Sequence, residues 1–270
     1  MAALSQRASG RRWSPPKLIA DPRWRWGLTI GALVYLVLAV SSLNINWVRL
    51  ARGLERSGRI FAGFLQPDFV TRWSDIQAGI LESLTMTVVA TVLGIFLSIP
   101  VGFGAARNIA PLPIYLVCRG IVTISRTFQE VIIAIVFVVM VGFGPLAGVL
   151  TLAVATIGFL AKLLAENIEE IDPAQVEAVR ATGAGWFKTM AYAVVPQVMA
   201  RLVGLSVYRF DINLRESAIV GVVGAGGIGS TLQTAFNRYE FDVAGAILLV
   251  IIALVMVTEL SSSYIRGRLQ

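Results

Sequence analysis

The sequence predicts an all-helical integral membrane protein with about six transmembrane helices, and three observations support this class. Of the 270 residues, 56% are hydrophobic and 14% are charged, whereas soluble domains average about 25% charged residues. Several apolar runs reach about 20 residues, the length that a helix needs to cross the hydrocarbon core of a bilayer. The basic residues, which give a formal net charge of +7, concentrate in the N-terminal tail and beside these runs, where they orient the helices. We therefore expect membrane lipid, and not nucleic acid, around this chain.

The composition also limits the chemistry. The chain has no histidine and a single cysteine, Cys118, so a Ser-His-Asp triad, a histidine-containing metal site and an intrachain disulfide are excluded. The Walker A sequence that holds nucleotide phosphates does not occur in the chain either. We expect no catalytic residue, no metal site and no cofactor in this chain.

The N-terminal part of the chain predicts a tail, one span and an external linker. Residues 1–26 carry six basic residues and no secretory cleavage signature follows them, so we expect a cytoplasmic basic tail. The first span is 27–43. The linker 44–78 contains a stretch, 47–65, in which apolar residues and arginines occupy different helical faces, a pattern typical of a helix lying in the membrane interface. These arginines lie on the predicted outer side and oppose the positive-inside count.

The remaining residues, 79–265, form the predicted core. An even number of spans and basic residues at both ends of the chain predict that both termini lie in the cytoplasm. The third span contains Arg126 and Glu130, which one continuous helix would place one turn apart on one face. No internal repeat is visible. The five spans predicted in the core are 79–103, 114–141, 146–164, 197–223 and 243–260.

A polar segment, 165–195, separates two of these spans. Asp172 is a helix cap, and the side chain of Gln175 is expected to reach back to the backbone N–H of Asp172 and complete a capping box. The helix is expected to stop at Gly183, which tolerates a left-handed backbone. A second short helix is expected to end before Pro196. The segment therefore predicts a compact helix–glycine–helix element on the cytoplasmic side.

This segment resembles a known motif. Glu177-Ala178-Val179, followed by Gly183 and Pro196, resembles the EAA motif, the signature cytoplasmic loop of permease subunits of bacterial ATP-binding-cassette (ABC) importers; Val179 stands where the motif has alanine. In that family the loop is a coupling helix that docks on a separate ATPase subunit. The docking positions that the resemblance implies are Glu177, Ala178, Ala181, Thr182 and Gly183.

Two further stretches, 125–150 and 208–229, resemble the middle and late segments of permeases of phosphonate importers, and together with the coupling loop the similarity covers 79–265. The resemblance implies a type I importer fold like that of methionine permeases. It also implies a homodimer in the bacterial inner membrane, an ATPase dimer that holds ATP and Mg²⁺ in the cytoplasm, and an extracytoplasmic substrate-binding protein. The implied function is translocation of phosphonate or a related phosphorus oxyanion such as phosphite, hypophosphite or phosphate.

Charged residues inside the predicted spans are candidates for the substrate path, because an ionisable group in a membrane usually faces a cavity or another helix. The planar fork of arginine fits the oxygens of a phosphorus oxyanion, and nearby carboxylates keep the attraction from trapping the cargo. The same charges also suit ion pairs that hold helices or protomers together, and the sequence leaves both interpretations open. The candidates are Arg126, Glu130, Arg209, Asp211, Asn213 and Arg215.

A glycine-rich turn follows the fifth span. It matches the dinucleotide fingerprint GxGxxG, but no βαβ pattern surrounds it, so we do not expect nucleotide binding. Its backbone N–H groups are suited to an anion-binding nest near the outer mouth, and close packing against the binding protein is an equally good interpretation. The glycines concerned are Gly224, Gly226, Gly227 and Gly229.

Two other transport functions remain as alternatives. An ABC permease for an amino acid such as methionine would share the coupling loop, but the charged fifth span favours an anionic cargo. An ion-coupled secondary transporter usually needs more spans and an internal repeat, and it has no use for a coupling loop.

Overall fold

The computed structural model describes residues 21–43 and 46–269, and every regular element within them is a helix. The predicted all-helical class is therefore confirmed. The chain divides into two compact units, Met1–Gly58 and Arg59–Gln270, which are described separately below. Residues 1–20 of the predicted tail lie outside the described part.

The first unit contains helix α1 (Pro22–Ser42) and most of helix α2 (Trp47–Phe64). Helix α1 begins five residues before the predicted span, because the Asp21 carboxylate accepts a hydrogen bond from the Arg23 backbone N–H at 3.1 Å and Pro22 occupies the first position. No residue of α1 is buried within the chain. Helix α2 coincides with the amphipathic stretch read from the sequence, and its location in the membrane interface stays a prediction.

The second unit holds the remaining helices. Four of its segments are each long and apolar enough to cross a membrane; with α1 the described chain has five such segments, or six if α4 and α5 count as one bent span. The elements are α3 (Trp73–Gly104), α4 (Leu112–Thr127), α5 (Glu130–Val141), α6 (Pro145–Glu169), α7 (Pro173–Ala181), α8 (Trp186–Thr189), a π-helical turn (Met190–Val194), α9 (Val195–Val220), a second π-helical turn (Gly221–Ala225), α10 (Gly227–Asn237) and α11 (Phe241–Leu269).

The predicted third span is not one helix. Phe128 and Gln129 are extended (φ −91°, ψ 133° and φ −69°, ψ 145°), and the axes of α4 and α5 differ by 96°. The expectation that Arg126 and Glu130 lie one turn apart on a single helix is therefore wrong. Arg126 lies in the last turn of α4 and Glu130 in the first turn of α5, where the helix dipoles favour a cation and an anion respectively.

Helices α3 and α6 pack closely at the centre of the unit. The approach depends on small residues, as is common between membrane helices: a Cβ added to Gly94 would lie 2.5 Å from Thr156 Cβ. One cluster of buried apolar side chains lies near α7 and includes Leu164, Val194 and Leu202. A second cluster joins α3, α10 and α11.

The helix predicted after α6 is present, but one of its caps differs. The Asp172 carboxylate accepts a hydrogen bond from the Ala174 N–H at 2.9 Å, and Gly183 has a φ of +80°, so both predicted ends of the helix are confirmed. The predicted capping box is wrong, because the backbone N–H of Asp172 donates to Gln197 Oε1 at 3.0 Å. The side chain that satisfies this group comes from α9 and not from Gln175.

The second short helix does not end before Pro196. Helix α8 continues through the π-helical turn Met190–Val194 into α9, and Pro196 lies in the first turn of α9. Proline has no N–H and its ring crowds the carbonyl of the preceding turn, and a widened turn relieves this crowding. The segment from Trp186 to Ala225 is thus one helical segment of 40 residues, long and apolar enough to cross a membrane.

Helix α10 was not predicted from the sequence. It follows a kink in the second π-helical turn, where Gly224 has a φ of +97°. Gly226 and Gly227 also have positive φ, so the glycine-rich turn is the point at which the chain reverses from α9 into α10.

Candidate functional site

A cavity of about 280 Å³ lies at the break between α4 and α5. It brings together three of the predicted path residues, Arg126, Glu130 and Arg209, from helices α4, α5 and α9. Helix α6 closes another side with Ala155 and Phe159. The complete lining is Ser125, Arg126, Thr127, Phe128, Gln129, Glu130, Ala155, Phe159 and Arg209.

The helix break contributes backbone polar groups to this cavity. The last carbonyls of α4 and the first N–H groups of α5 have no partner within their own helices. In a membrane, irregular backbone of this kind is tolerated where it is buried in protein or lines a water-filled cavity. The extended residues Phe128 and Gln129 line the cavity themselves, so the cavity wall presents arginine side chains and main-chain polar groups together.

Arg209 is only 3% exposed, and three contacts hold its guanidinium group in place. Its Nη2 donates to Glu216 Oε2 at 3.1 Å and its Nε donates to Thr156 Oγ1 at 3.2 Å. The guanidinium carbon lies 5.4 Å from the centre of the Phe159 ring, a cation–π distance. These three contacts fix the orientation of the guanidinium group toward the cavity.

Asn213 belongs to the support of this site and does not line the cavity. It is fully buried, and its Nδ2 donates to Thr91 Oγ1 at 2.8 Å and to Thr156 Oγ1 at 2.9 Å. The amide therefore ties α9 to both α3 and α6. Since Thr156 also accepts from Arg209, one threonine hydroxyl joins the supporting network to the cavity.

Asp211 and Arg215 lie elsewhere on α9 and do not line the cavity. The side chain of Asp211 is 5% exposed and that of Arg215 is 53% exposed, with Arg215 Nη2 3.4 Å from Asp211 Oδ2. Within the described residues, Asp211 Oδ1 has no hydrogen-bond partner. The six predicted path residues thus divide into a cavity group of three, the supporting Asn213 and a separate ion pair.

Two side chains that hold the predicted residues in place were not among the candidates selected from the sequence. Glu216 pairs with Arg209, and Thr156 holds both Arg209 and Asn213. A signal for Glu216 exists in the sequence, because residues seven apart lie two turns along the same helical face. Thr156 lies in a different span, and no local pattern relates it to α9.

A carboxylate side chain of α3 already binds the glycine-rich turn. The Gly227 N–H donates to Glu82 Oε2 at 2.9 Å, and the Ile228 N–H donates to Ser83 Oγ at 2.9 Å. One N–H group of the suggested anion nest, that of Gly227, thus already donates to a carboxylate from α3. The turn is also tightly packed, since a Cβ on Gly229 would overlap the carbonyl oxygen of Ala218.

Helix α7 and the two residues that follow it expose the predicted coupling positions. Val176 and Val179 are half-buried, and Val176 packs against the apolar cluster near α7. Beside them, α8 adds two exposed aromatic rings that the sequence analysis did not select, Trp186 (53% exposed) and Phe187 (82% exposed). The exposed predicted positions are Glu177, Ala178, Ala181, Thr182 and Gly183.

The family described as "Binding-protein-dependent transport system inner membrane component" matches residues 90–270. The chain belongs to this family. The resemblance read from the coupling motif is therefore confirmed, and the protein is a permease of the inner membrane.

Relatives of this permease include two phosphorus transporters. The phosphate-import permease protein PhnE of Mycolicibacterium smegmatis is 46% identical over 247 residues, covering 91% of this chain and 46% of that protein. This permease thus spans about half of that relative's length. The phosphite transport system permease protein PtxC of Stutzerimonas stutzeri is 38% identical over 218 residues, covering 80% of this chain and 79% of that protein.

Among solved structures, this permease is similar to a chain of the MetNI methionine ABC transporter in an inward-facing conformation. The two share 26% identity with a TM-score of 0.65, and the match covers 75% of this chain and 99% of that chain. The predicted methionine-permease-like type I fold is confirmed.

Proposed function

We propose that this permease is the translocation subunit of an ABC importer for a phosphonate or a related phosphorus oxyanion such as phosphite, hypophosphite or phosphate. The observation that carries the proposal is the cavity at the α4–α5 break, which two arginines from different helices line. The names of the two relatives, a phosphate-import permease and a phosphite permease, support the same class of cargo.

The balanced charges around the cavity suit the passage of an anion better than its tight binding. Arg209 is paired with Glu216, and Arg126 shares the cavity with Glu130, so two guanidinium groups and two carboxylates have a formal sum of zero. A transport site must attract its ion enough to admit it and weakly enough to release it. The arginine forks supply paired donors for oxyanion oxygens, and the carboxylates reduce the net attraction.

The proposed assembly follows from the two ends of the permease core. An ATPase dimer, which holds ATP and Mg²⁺, docks on the exposed side of α7 and on the aromatic pair of α8. Two copies of the permease form a homodimer, and a substrate-binding protein delivers cargo from the opposite side of the membrane. Both termini lie in the cytoplasm. Closure of the ATPase dimer on ATP pushes the coupling helices together, and the permease dimer tips from inward-facing to outward-facing.

The test is ATP-dependent uptake by proteoliposomes that contain the permease, its ATPase and its binding protein. Phosphonate, phosphite, phosphate and methionine are offered as cargo. Arg126→Ala removes one charged donor, and a lost charge-assisted hydrogen bond of about 1.5–3 kcal/mol corresponds to roughly a 10- to 100-fold slower oxyanion uptake. Arg238→Ala is the matched control, because Arg238 is exposed and does not line the cavity.

Glu177→Lys reverses a charge on the proposed ATPase-docking surface and is expected to abolish uptake. Methionine uptake in place of oxyanion uptake would replace the proposed cargo with an amino acid. Uptake that persists without ATP or without the ATPase would contradict the importer itself and make an ion-coupled transporter the working hypothesis.

A further inference from the structure

A junction of polar groups lies where α7 leaves the core. Glu169 is the last residue of α6, three residues before Asp172, the cap of α7. Its Oε1 accepts from Arg119 Nη2 at 2.8 Å and from the Arg107 backbone N–H at 2.8 Å. The two side chains of the ion pair are about one-third exposed, so the pair is partly shielded from solvent.

Arg119 is held on several sides. Besides its bond to Glu169, its Nε donates to the carbonyl oxygen of Ala105 at 2.9 Å, and its guanidinium carbon lies 5.4 Å from the centre of the Tyr115 ring. The side chain therefore joins α4 to the end of α3 and to the end of α6. A lysine in this place would keep the charge but not the fork that reaches both acceptors.

Helix α4 connects this junction directly to the cavity. Arg119 and Arg126 are seven residues apart, so they lie two turns apart on the same face of α4, separated by about 10.5 Å. Near the cavity, α4 is attached to α6 a second time, because Ser125 Oγ donates to the carbonyl oxygen of Val154 at 2.6 Å. Gly158 permits this approach, since a Cβ there would lie 2.5 Å from Ser125 Oγ.

Helix α9 makes a parallel connection. Gln197 accepts from the Asp172 N–H at 3.0 Å, and Arg201 pairs with Glu170 at 3.2 Å. Twelve residues after Gln197, the same helix carries Arg209 into the cavity. The residues that precede α7 are thus bonded to two helices, and each of these helices contributes an arginine to the cavity.

We propose that the Glu169–Arg119 ion pair is the joint that transmits displacement of α7 to the α4 side of the cavity. Both are positioning residues: they act on the cargo path through α4 and do not touch the cargo. When α7 is displaced, the short segment between it and α6 moves Glu169, and the ion pair moves Arg119 with it. Helix α4 then carries this motion to Arg126 and to the helix break. This inference rests on the proposed function, which supplies the ATPase that moves α7.

The test measures how accessible the cavity is to a reagent, through a single thiol placed in its lining. Cys118 is the only cysteine of the chain, so Cys118→Ser with Thr127→Cys places one thiol at an exposed position of the cavity lining. The rate of its reaction with a charged methanethiosulfonate is measured in the complete complex in proteoliposomes, without nucleotide and with ATP plus vanadate. The parent is expected to show different rates in the two states.

Glu169→Gln is expected to reduce this nucleotide-dependent difference by about 2- to 30-fold, the range in which residues along a coupling network act. The amide oxygen still accepts from the Arg107 N–H, which favours folding of the variant. Arg119→Lys is expected to reduce the difference to a smaller extent. Glu166→Gln is the matched control, because it breaks an ion pair with Lys162 inside α6 alone, 3.5 Å in length, and it should leave the response unchanged.

Three results would overturn the proposal. An undiminished response in Glu169→Gln, in a complex whose parent takes up cargo with ATP, removes the joint and leaves the proposed function standing. Loss of the response together with loss of the bound ATPase on co-purification assigns Glu169 to docking instead. A parent without ATP-dependent uptake removes the proposed function and this inference together.

Discussion

The substitution Gly94→Ala adds one methyl group and so tests the packing that supports the cavity. A Cβ at this position would lie 2.5 Å from Thr156 Cβ, whereas carbon atoms in contact prefer about 3.5–4.0 Å. In Gly94→Ala, α3 and α6 must therefore separate locally by about 1 Å. Thr156 accepts hydrogen bonds from both Arg209 and Asn213, so the displacement reaches the cavity.

The expected magnitude has three parts. Overpacking of a tight contact destabilises by about 1–3 kcal/mol. Weakening two interhelical hydrogen bonds in a membrane adds about 1 kcal/mol, at an average of about 0.6 each. Replacing a helical glycine by alanine stabilises the helix by roughly 0.5–1 kcal/mol, which offsets part of this loss. The net expectation is a loss of about 1–3 kcal/mol in the free energy of unfolding.

The assay is thermal unfolding of the purified permease in one detergent, compared with wild type. Gly120→Ala is the matched control, since a Cβ on Gly120 meets nothing within 4 Å and the variant should equal wild type or exceed it slightly. A Gly94→Ala variant as stable as Gly120→Ala would refute the close α3–α6 contact at Thr156.

Three other variants test separate features. Asn213→Ala removes two donated bonds and should lower the unfolding free energy by about 1 kcal/mol, measured in the same thermal assay. Gly183→Ala, at φ +80° with nothing within 4 Å of the added Cβ, should weaken ATPase binding by roughly 5- to 30-fold through backbone strain of about 1–2 kcal/mol, while Gly185→Ala, at φ −69°, should not. The bonds from the Thr71 hydroxyl and the backbone N–H groups of Val70 and Thr71 hold the pKa of the Asp68 carboxyl below its ordinary 3.8. A pKa that is lowered in the folded state stabilises the fold only while the carboxyl is ionised. The difference in unfolding free energy between wild type and Asp68→Asn should therefore have its full value well above pH 3.8 and vanish as the pH falls through the lowered pKa. A difference that does not depend on pH would contradict this.

The features that the sequence predicted correctly depend on near neighbours. Hydropathy located the apolar segments but not the break inside the third of them, and the cap at Asp172 and the left-handed Gly183 follow from the preferences of single residues. The coupling positions came from a short motif, and their role in coupling stays a prediction. Each of these signals lies within a few residues of the structure that it predicts.

The features that were missed depend on residues far apart in the chain. Glu82 and Gly227 are 145 residues apart, and Gln197 satisfies a backbone group 25 residues earlier. The break between α4 and α5 is an intermediate case. A basic residue four positions before an acidic one, such as Arg126 and Glu130, suits two helix ends as well as one helical turn, so the local sequence does not distinguish the two structures.

The π-helical turn at Met190–Val194 has a consequence for the length of the chain. The Val195 N–H donates to the carbonyl of Met190, five residues earlier, so this turn holds one residue more than an α-helical turn. Deleting any one of these residues would restore a regular helix and rotate everything before it by about 100° around the axis of α9. The number of residues between this aromatic pair and α9 therefore sets the direction in which Trp186 and Phe187 point. Deletion of one residue from the turn would redirect both side chains without changing either of them.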